Sequence, residues 1–402
     1  MRGLLCLPCL LAPVALYSMQ ACAQDQGFVE GQFDLDWQRL SFPAVSMGTP
    51  TIAQQSLTAF GSEYGISAGM PLSKEPGAFT FSWSGTRFDV SGHSSSTSTL
   101  ANSPFILEVG SPSPGEIDLS YLTDPSGATA ASSVTFVDRA GSPASIFSSA
   151  FSPTGPNSVT QYAVSKTALG AAFAAVLTNG STPSAAAYGA FGDSNGLLFA
   201  GANDAGPGTV HAWSFVHVTG YTQSIWFSKP LAPDDAFALR IGATYRSAKE
   251  HFGSGLAFDL SQGAPSGAIP VVGLNEAGSF NTESGGPTIG FQGRFWPQAP
   301  FVVEMSGMAG IAYFGARSTT SQTLVLPQVA AIEVPGGTQR DNGVMGLAGL
   351  DLSLAFPLKQ QVEFRLSGGV HTTLWGPRPT ATGIGRTTSS QYNVGLSLTA
   401  HF

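Results

Sequence analysis

The chain is predicted to be all-β, an antiparallel transmembrane β-barrel of about 10–12 strands with a large insert between strands 3 and 4. Four observations predict it. Apolar and polar side chains alternate over many separate segments, the period of a strand with one greasy and one polar face. Only 10% of the residues are charged and mean hydropathy is +0.13, where a soluble domain carries about a quarter charged residues. Low charge with middling hydropathy suits a wall that meets lipid outside and water or polar side chains inside. After the first residues no run approaches the about 18 apolar positions of a membrane helix. Finally, one hairpin plan recurs four times, with tight turns at one end and long connections at the other.

At the start, Arg2 supplies a positive n-region, Leu4 to Leu16 is almost wholly apolar, and Ala21-Cys22-Ala23 fits an A-x-A cleavage pattern. Residues 1–23 therefore read as a secretory signal peptide. A second reading makes Cys22 a lipidated cysteine, for which Gln20 is a poor neighbour. Cys6, Cys9 and Cys22 are the only cysteines. A chain cleaved there keeps neither a disulfide framework nor a cysteine metal site.

Strands are expected at 31–42, 59–72 and 77–91 within a first barrel segment, 24–91. Others are expected at 218–229, 236–250, 284–296, 300–317, 341–356, 361–376 and 387–402 within a second, 218–402. The repeated hairpins are Ile66 to Trp83, Ile225 to Ile241, Ile289 to Met305 and Leu350 to Leu366, with short turns rich in Pro and charge. The connections 251–282 and 318–340, at the opposite ends, are long and rich in Gly, Ser, Thr and Pro. Phe79, Phe227, Phe237, Phe295, Phe301, Phe356, Phe364 and Phe402 sit near the short turns, and Tyr245, Tyr313, Trp375 and Tyr392 further up. At a climb of about 2.5 Å per residue the two bands stand about 20–30 Å apart, the height of an apolar belt between aromatic girdles.

Residues 92–217 form the insert, rich in Ser, Ala, Gly and Pro. Three readings stay open for a stretch too long for an ordinary loop: a surface elaboration, a segment folded into the lumen, or extra barrel strands. A hairpin over 103–121, with Phe105, Leu107 and Val109 running into a turn and Ile117, Leu119 and Tyr121 running out, would raise the strand count from ten to twelve. Thr167 to Leu177 is Ala-rich and is expected to be a short helix capped by Ser165.

Parity assigns faces. If Phe237, Leu239, Ile241 and Tyr245 look at lipid, Arg240 and Arg246 look inward; the same rule sends Arg294, Glu304, Asp351, Glu363 and Arg365 into the lumen. Because a charge facing lipid at mid-depth costs about 2–4 kcal/mol, this shared parity is what a barrel requires. These seven residues form either a selective constriction or a structural Arg–carboxylate network.

The last strand carries a resemblance. Tyr392, Val394, Leu396, Leu398, Ala400 and Phe402 take one parity, and Asn393, Gly395, Ser397, Thr399 and His401 the other. This stretch resembles the closing strand of bacterial outer-membrane β-barrels of the porin-like kind. The resemblance implies a Gram-negative outer membrane, both termini and the short turns in the periplasm, and Tyr392, Val394, Leu396, Leu398 and Phe402 as a signal to the barrel-assembly machinery. It implies contact with outer-membrane lipid and lipopolysaccharide, and a porin-like passive channel for small polar solutes. The alternative function is a non-conducting barrel that anchors a surface-exposed loop domain for adhesion or interaction. A soluble β-sandwich would explain neither the terminal Phe nor the turn asymmetry.

No enzyme motif is recognised. His211 and His217 share a parity without a third metal ligand, and Asp89 with His93 is the only suggestive acid–base pair. No catalytic residue, metal or cofactor is expected. A net charge of −8 without a basic cluster gives no footprint for nucleic acid.

Overall fold

The computed structural model describes residues 27–41, 47–48, 56–73, 75, 77–100, 105–110, 116–123, 130–137, 143–151, 159–166, 170–179, 182–193, 196–203, 208–231, 237–259, 271–295, 300–326, 330–334, 337–359, 361–380 and 383–402. Ten strands pair in a ring. They are β1 (Phe28–Ser41), β2 (Ser56–Pro71), β3 (Thr80–Leu100), β4 (Gly208–Pro230), β5 (Phe237–Asp259), β6 (Val272–Phe295), β7 (Val302–Leu326), β8 (Thr338–Lys359), β9 (Val362–Thr380) and β10 (Gly383–His401). Each pairs antiparallel with the next, and β10 returns to β1 over Phe28↔His401 to Gln38↔Gln391. A ring leaves no unpaired edge, so each strand's backbone groups find partners on both sides.

Parity decides what each face meets. On β10, Tyr392, Val394, Leu396 and Leu398 are 42–54% exposed on the outside, while Gly395, Ser397 and Thr399 are buried inside. The same outward exposure holds for Ile289, Ile311, Leu350 and Leu352. Such a belt of bare aliphatic side chains is unfavourable in water and suits hydrocarbon. Aromatic contacts edge the belt near the short turns, with Phe81–Phe227, Phe237–Phe291 and Phe301–Phe356 at 5.4–6.2 Å. Trp37 stacks on Tyr392 and Tyr221 meets Tyr245 further up. A register shift after Thr373 puts Trp375 at φ 56° and 68% exposed, so the bulge re-aims this ring outward. At the turn end the backbone of Phe402 donates to the Gly27 carbonyl at 2.8 Å, tying the two chain ends together.

Several expectations need correction. The 103–121 hairpin does not form: Phe105–Gly110 pairs with 196–201, and Glu116–Thr123 pairs with Ala130–Val137, in sheets separate from the ring. The ring therefore has ten strands, and alternation in this stretch serves other sheets. The Ala-rich stretch is not a helix, since Gly170–Asn179 is a strand paired with Thr182–Asp193 and Val159–Lys166. Sheet pairing on both sides overrides the modest helix preference of alanine. The connections 251–282 and 318–340 are shorter than expected, because β5 runs to Asp259, β6 begins at Val272 and β7 reaches Leu326. Likewise β3 reaches Leu100 and meets Gly208 of β4, so ring pairing takes both ends of the 92–217 stretch. Above the belt no lipid demands apolar side chains, so the ladder continues through Gly, Ser and Thr without alternation. The signal-peptide reading lies outside the described residues.

A single arginine tests the outer face. Leu352→Arg should cost the folded barrel about 2–4 kcal/mol in a bilayer, read by urea titration in lipid vesicles, whereas Ser353→Arg, which faces the lumen, should cost much less.

Candidate functional site

The lumen is the site, and it is built in storeys. Nearest the short turns, β6, β7 and β9 bring together Arg294, Glu304, Glu363 and Arg365, and β1 adds Glu30. Arg294 Nε donates to Glu304 at 2.7 Å and its Nη2 reaches Glu363 at 3.5 Å. Arg365 binds Glu363 at 3.1 Å, Glu30 at 3.4 Å and Glu304 at 3.6 Å. Ser397 donates to Glu30, and His401 Nε2 stands 3.5 Å from Glu363. Two guanidiniums thus bridge three carboxylates across the ring, so each of these partly buried charges has a partner.

One storey up, acids predominate. Asp34 and Asp36 on β1 are fully buried. Gln32 donates to Asp34, Gln391 donates to Asp36 at 3.1 Å, and Arg246 donates to Gln391 at 3.3 Å. Asp34 fits only because position 395 is glycine: a Cβ there would lie 1.4 Å from its carboxylate oxygen. Asp351 pairs with His371 at 2.9 Å. Arg240 and Arg246 make no ion pair among the described residues. Their guanidiniums instead lie 4.7 Å from the rings of Trp226 and Phe88 respectively, which supplies cation–π attraction.

Above this, the interior turns apolar. Leu57, Ala59, Phe88, Val90, Val216, Val218, Phe252, Phe280, Ala312, Phe314, Ala316 and Met345, from seven strands, form one buried cluster. Phe314 is 0% and Phe88 2% exposed. Arg386, held by Asp341 at 3.1 Å, covers Phe314 from the far side at 5.1 Å. A cavity of about 220 Å³ is lined by Arg246, His371 and Gln391 and by Phe280, Phe314 and Met345, and extends along β9 and β10 to Pro379 and Thr387, beside the apolar layer.

All seven charged residues singled out from parity face this lumen. The structure joins Arg294, Glu304, Glu363 and Arg365 in one network, and it keeps Arg240, Arg246 and Asp351 in the storey above. Sequence reasoning missed Glu30, Asp34, Asp36 and His371, although the alternation Glu30-x-Gln32-x-Asp34-x-Asp36 carries the same signal. It also missed the apolar layer, because apolar side chains at inward parity look like lapses of the pattern. Asp89 pairs with His217 at 2.8 Å rather than with His93, and His211 with Thr97 at 2.9 Å, both couples being exposed. No group of metal-holding residues occurs among the described residues.

No family model and no curated protein matches the chain. Similar solved structures include the outer-membrane protease OmpT from Escherichia coli, at 7% identity over 94% of this chain and 98% of that one, TM-score 0.35. Others are the Pseudomonas putida toluene transporter TodX, at 12% identity over 94% and 91% with TM-score 0.25, and the translocator domain of autotransporter NalP from Neisseria meningitidis, at 6% identity over 97% and 98% with TM-score 0.21. All three are bacterial outer-membrane proteins of differing function, and at these TM-scores the likeness carries no inference about this chain's activity.

Removing the central guanidinium should expose the dependence of the turn-end network on pairing. Arg365→Ala leaves Glu30 without a cation and Glu304 and Glu363 sharing Arg294 as their only guanidinium, and should destabilise the folded barrel by about 3–5 kcal/mol. Arg386→Ala, at a half-exposed pair, should cost below about 1 kcal/mol. Both are read as urea midpoints of the folded form.

Proposed function

We propose that the protein is an outer-membrane barrel of a Gram-negative bacterium that works as a sealed anchor, holding the 101–207 elaboration at the end of the ring opposite the short turns. One observation carries this reading: the apolar layer. A pore for polar solutes needs a continuous wet path, and side chains packed to 0–2% exposure at Phe314 and Phe88 fill the lumen on the side of β2 to β8 and narrow it to the strip beside β9 and β10. The elaboration leaves and rejoins the ring on adjacent strands, at Leu100 and Gly208, which are paired in register. That is how a barrel presents a loop domain at one rim.

A porin-like passive channel for small polar solutes is the second reading. The cavity of about 220 Å³ favours it, as do the carboxylates of the storey of Asp34, Asp36 and Asp351, which would draw small cations.

Planar-bilayer recording separates them. The sealed anchor predicts no conductance steps from the folded wild type, and steps once Phe88→Ala and Phe314→Ala open the layer. Wild-type steps whose ion selectivity changes in Arg294→Ala or Glu363→Ala would instead establish the channel. Deleting 125–205 should leave a barrel that still shifts on gels when heated.

A further inference from the structure

Histidines gather on the outer wall of β3 to β5. His217 of β4 and His251 of β5 are partners in register, and both are exposed. Side chains directly opposite on an antiparallel pair have Cβ atoms about 4.5–5.5 Å apart, so two imidazoles placed there can reach one point between them. The row continues to Ser91 on β3 and Ser279 on β6, both small, which leaves the rings room to turn. His93, the partner of Phe215, is the diagonal neighbour of His217 on the β3 side and is exposed as well. His251 lies six residues beyond Tyr245 on its strand. At about 2.5 Å of climb per residue that is about 15 Å, clear of the hydrocarbon and open to water.

One ring is already set for a ligand role. Asp89, the diagonal neighbour of His217 on the other side, accepts a hydrogen bond from its Nε2 at 2.8 Å. A carboxylate only accepts, so Nε2 carries the proton and Nδ1 keeps a lone pair, which has no partner among the described residues. A carboxylate on one ring nitrogen and a metal on the other is how metal-binding histidines are oriented and made more basic. His93 and His251 likewise have no hydrogen-bond partner among the described residues.

We propose that this patch is a site for a divalent transition metal, with His217 Nδ1 and His251 as paired ligands, Asp89 orienting His217, and His93 turning in to close it. No three ligands stand converged among the described residues. The pair is therefore the core of the site, and His93 is its closing arm at a diagonal spacing of about 7–8 Å. Lys249 lies on the same face, in register with Asp89 through Thr219, so one acid and one base flank the pair. Recognition then falls to imidazole nitrogen rather than to net negative charge. Imidazole selects Zn²⁺, Cu²⁺ and Ni²⁺ over Mg²⁺ and Ca²⁺, which want oxygen ligands. The patch is on the outside of the ring, so the inference holds whether or not the lumen conducts.

The test uses the full-length protein without an affinity tag and with Cys6, Cys9 and Cys22 replaced by serine, folded in detergent and titrated with ZnCl₂, CuCl₂ or MgCl₂ by calorimetry. One equivalent of Zn²⁺ or Cu²⁺ should bind, and Mg²⁺ should not. Asp89→Asn should weaken Zn²⁺ binding by about tenfold, and His217→Ala or His251→Ala by more. His211→Ala, whose ring bonds Thr97 instead, should bind as the wild type does. The electron spin resonance spectrum of bound Cu²⁺ should lose the coupling of one nitrogen in His251→Ala. All of these side chains are exposed, so each variant should keep its heat-dependent migration on gels, and His217→Gln and His251→Gln repeat the test for any that does not. A folded wild type that takes up neither Zn²⁺ nor Cu²⁺ overturns the proposal, as does binding that survives in folded His217→Ala/His251→Ala. Equal uptake of Mg²⁺ also overturns it, in favour of the carboxylates of the lumen.

Discussion

Hydrocarbon offers no partner to a peptide group, and that constraint organises this molecule. Every N–H and C=O at membrane depth must be matched within the chain, and a sheet does so only when its first and last strands meet. Here β1 and β10 pair over Phe28↔His401 to Gln38↔Gln391, and Phe402 is fastened to Gly27 at the same seam. Once the ring exists, the period of two does the rest. Leucines and tyrosines of one parity meet lipid, and the other parity must fill a narrow interior.

That interior is dense, and its chemistry changes with height. Near the short turns it is ionic, because Arg294 and Arg365 can each span several partly buried carboxylates. Further along it is apolar, with Phe88, Phe252, Phe280 and Phe314 reaching inward from four strands. The transition is made by Arg246, whose guanidinium lies on Phe88 while its Nη2 reaches Gln391, and Arg386 makes a similar junction with Phe314 beyond the layer. Planar guanidinium groups suit both boundaries because one face can stack while the edge donates hydrogen bonds.

The legible part of the sequence is the part that lipid dictates. The ten ring strands, the inward parity of Arg240, Arg246, Arg294, Glu304, Asp351, Glu363 and Arg365, and the aromatic rows all follow from alternation imposed by the belt. The pattern fades where that pressure stops: the upper halves of β5, β6 and β7 are Gly-, Ser- and Thr-rich and read as loops although their ladders continue. Thr167 to Leu177 misled for a related reason, since an alanine run carries helix preference but no period, and pairing on both sides decides it. The apolar storey was illegible because lumen-facing Phe252, Phe280 and Phe314 differ in sequence from lipid-facing residues only by parity, and only register fixes parity across strands.

Each ring strand shows lipid to one side and a packed interior to the other, and β7 tests this within two residues. In a background lacking Cys6, Cys9 and Cys22, Ile311→Cys and Ala312→Cys are placed singly in the protein folded into vesicles. Residue 311 is 62% and residue 312 1% exposed. A lipid-soluble spin label quencher should reach a fluorophore at 311, and the thiol at 312 should resist both that route and a water-soluble maleimide. Fast maleimide reaction at 312 would mean a wet lumen, and water-phase access at 311 would mean that no bilayer surrounds the ring.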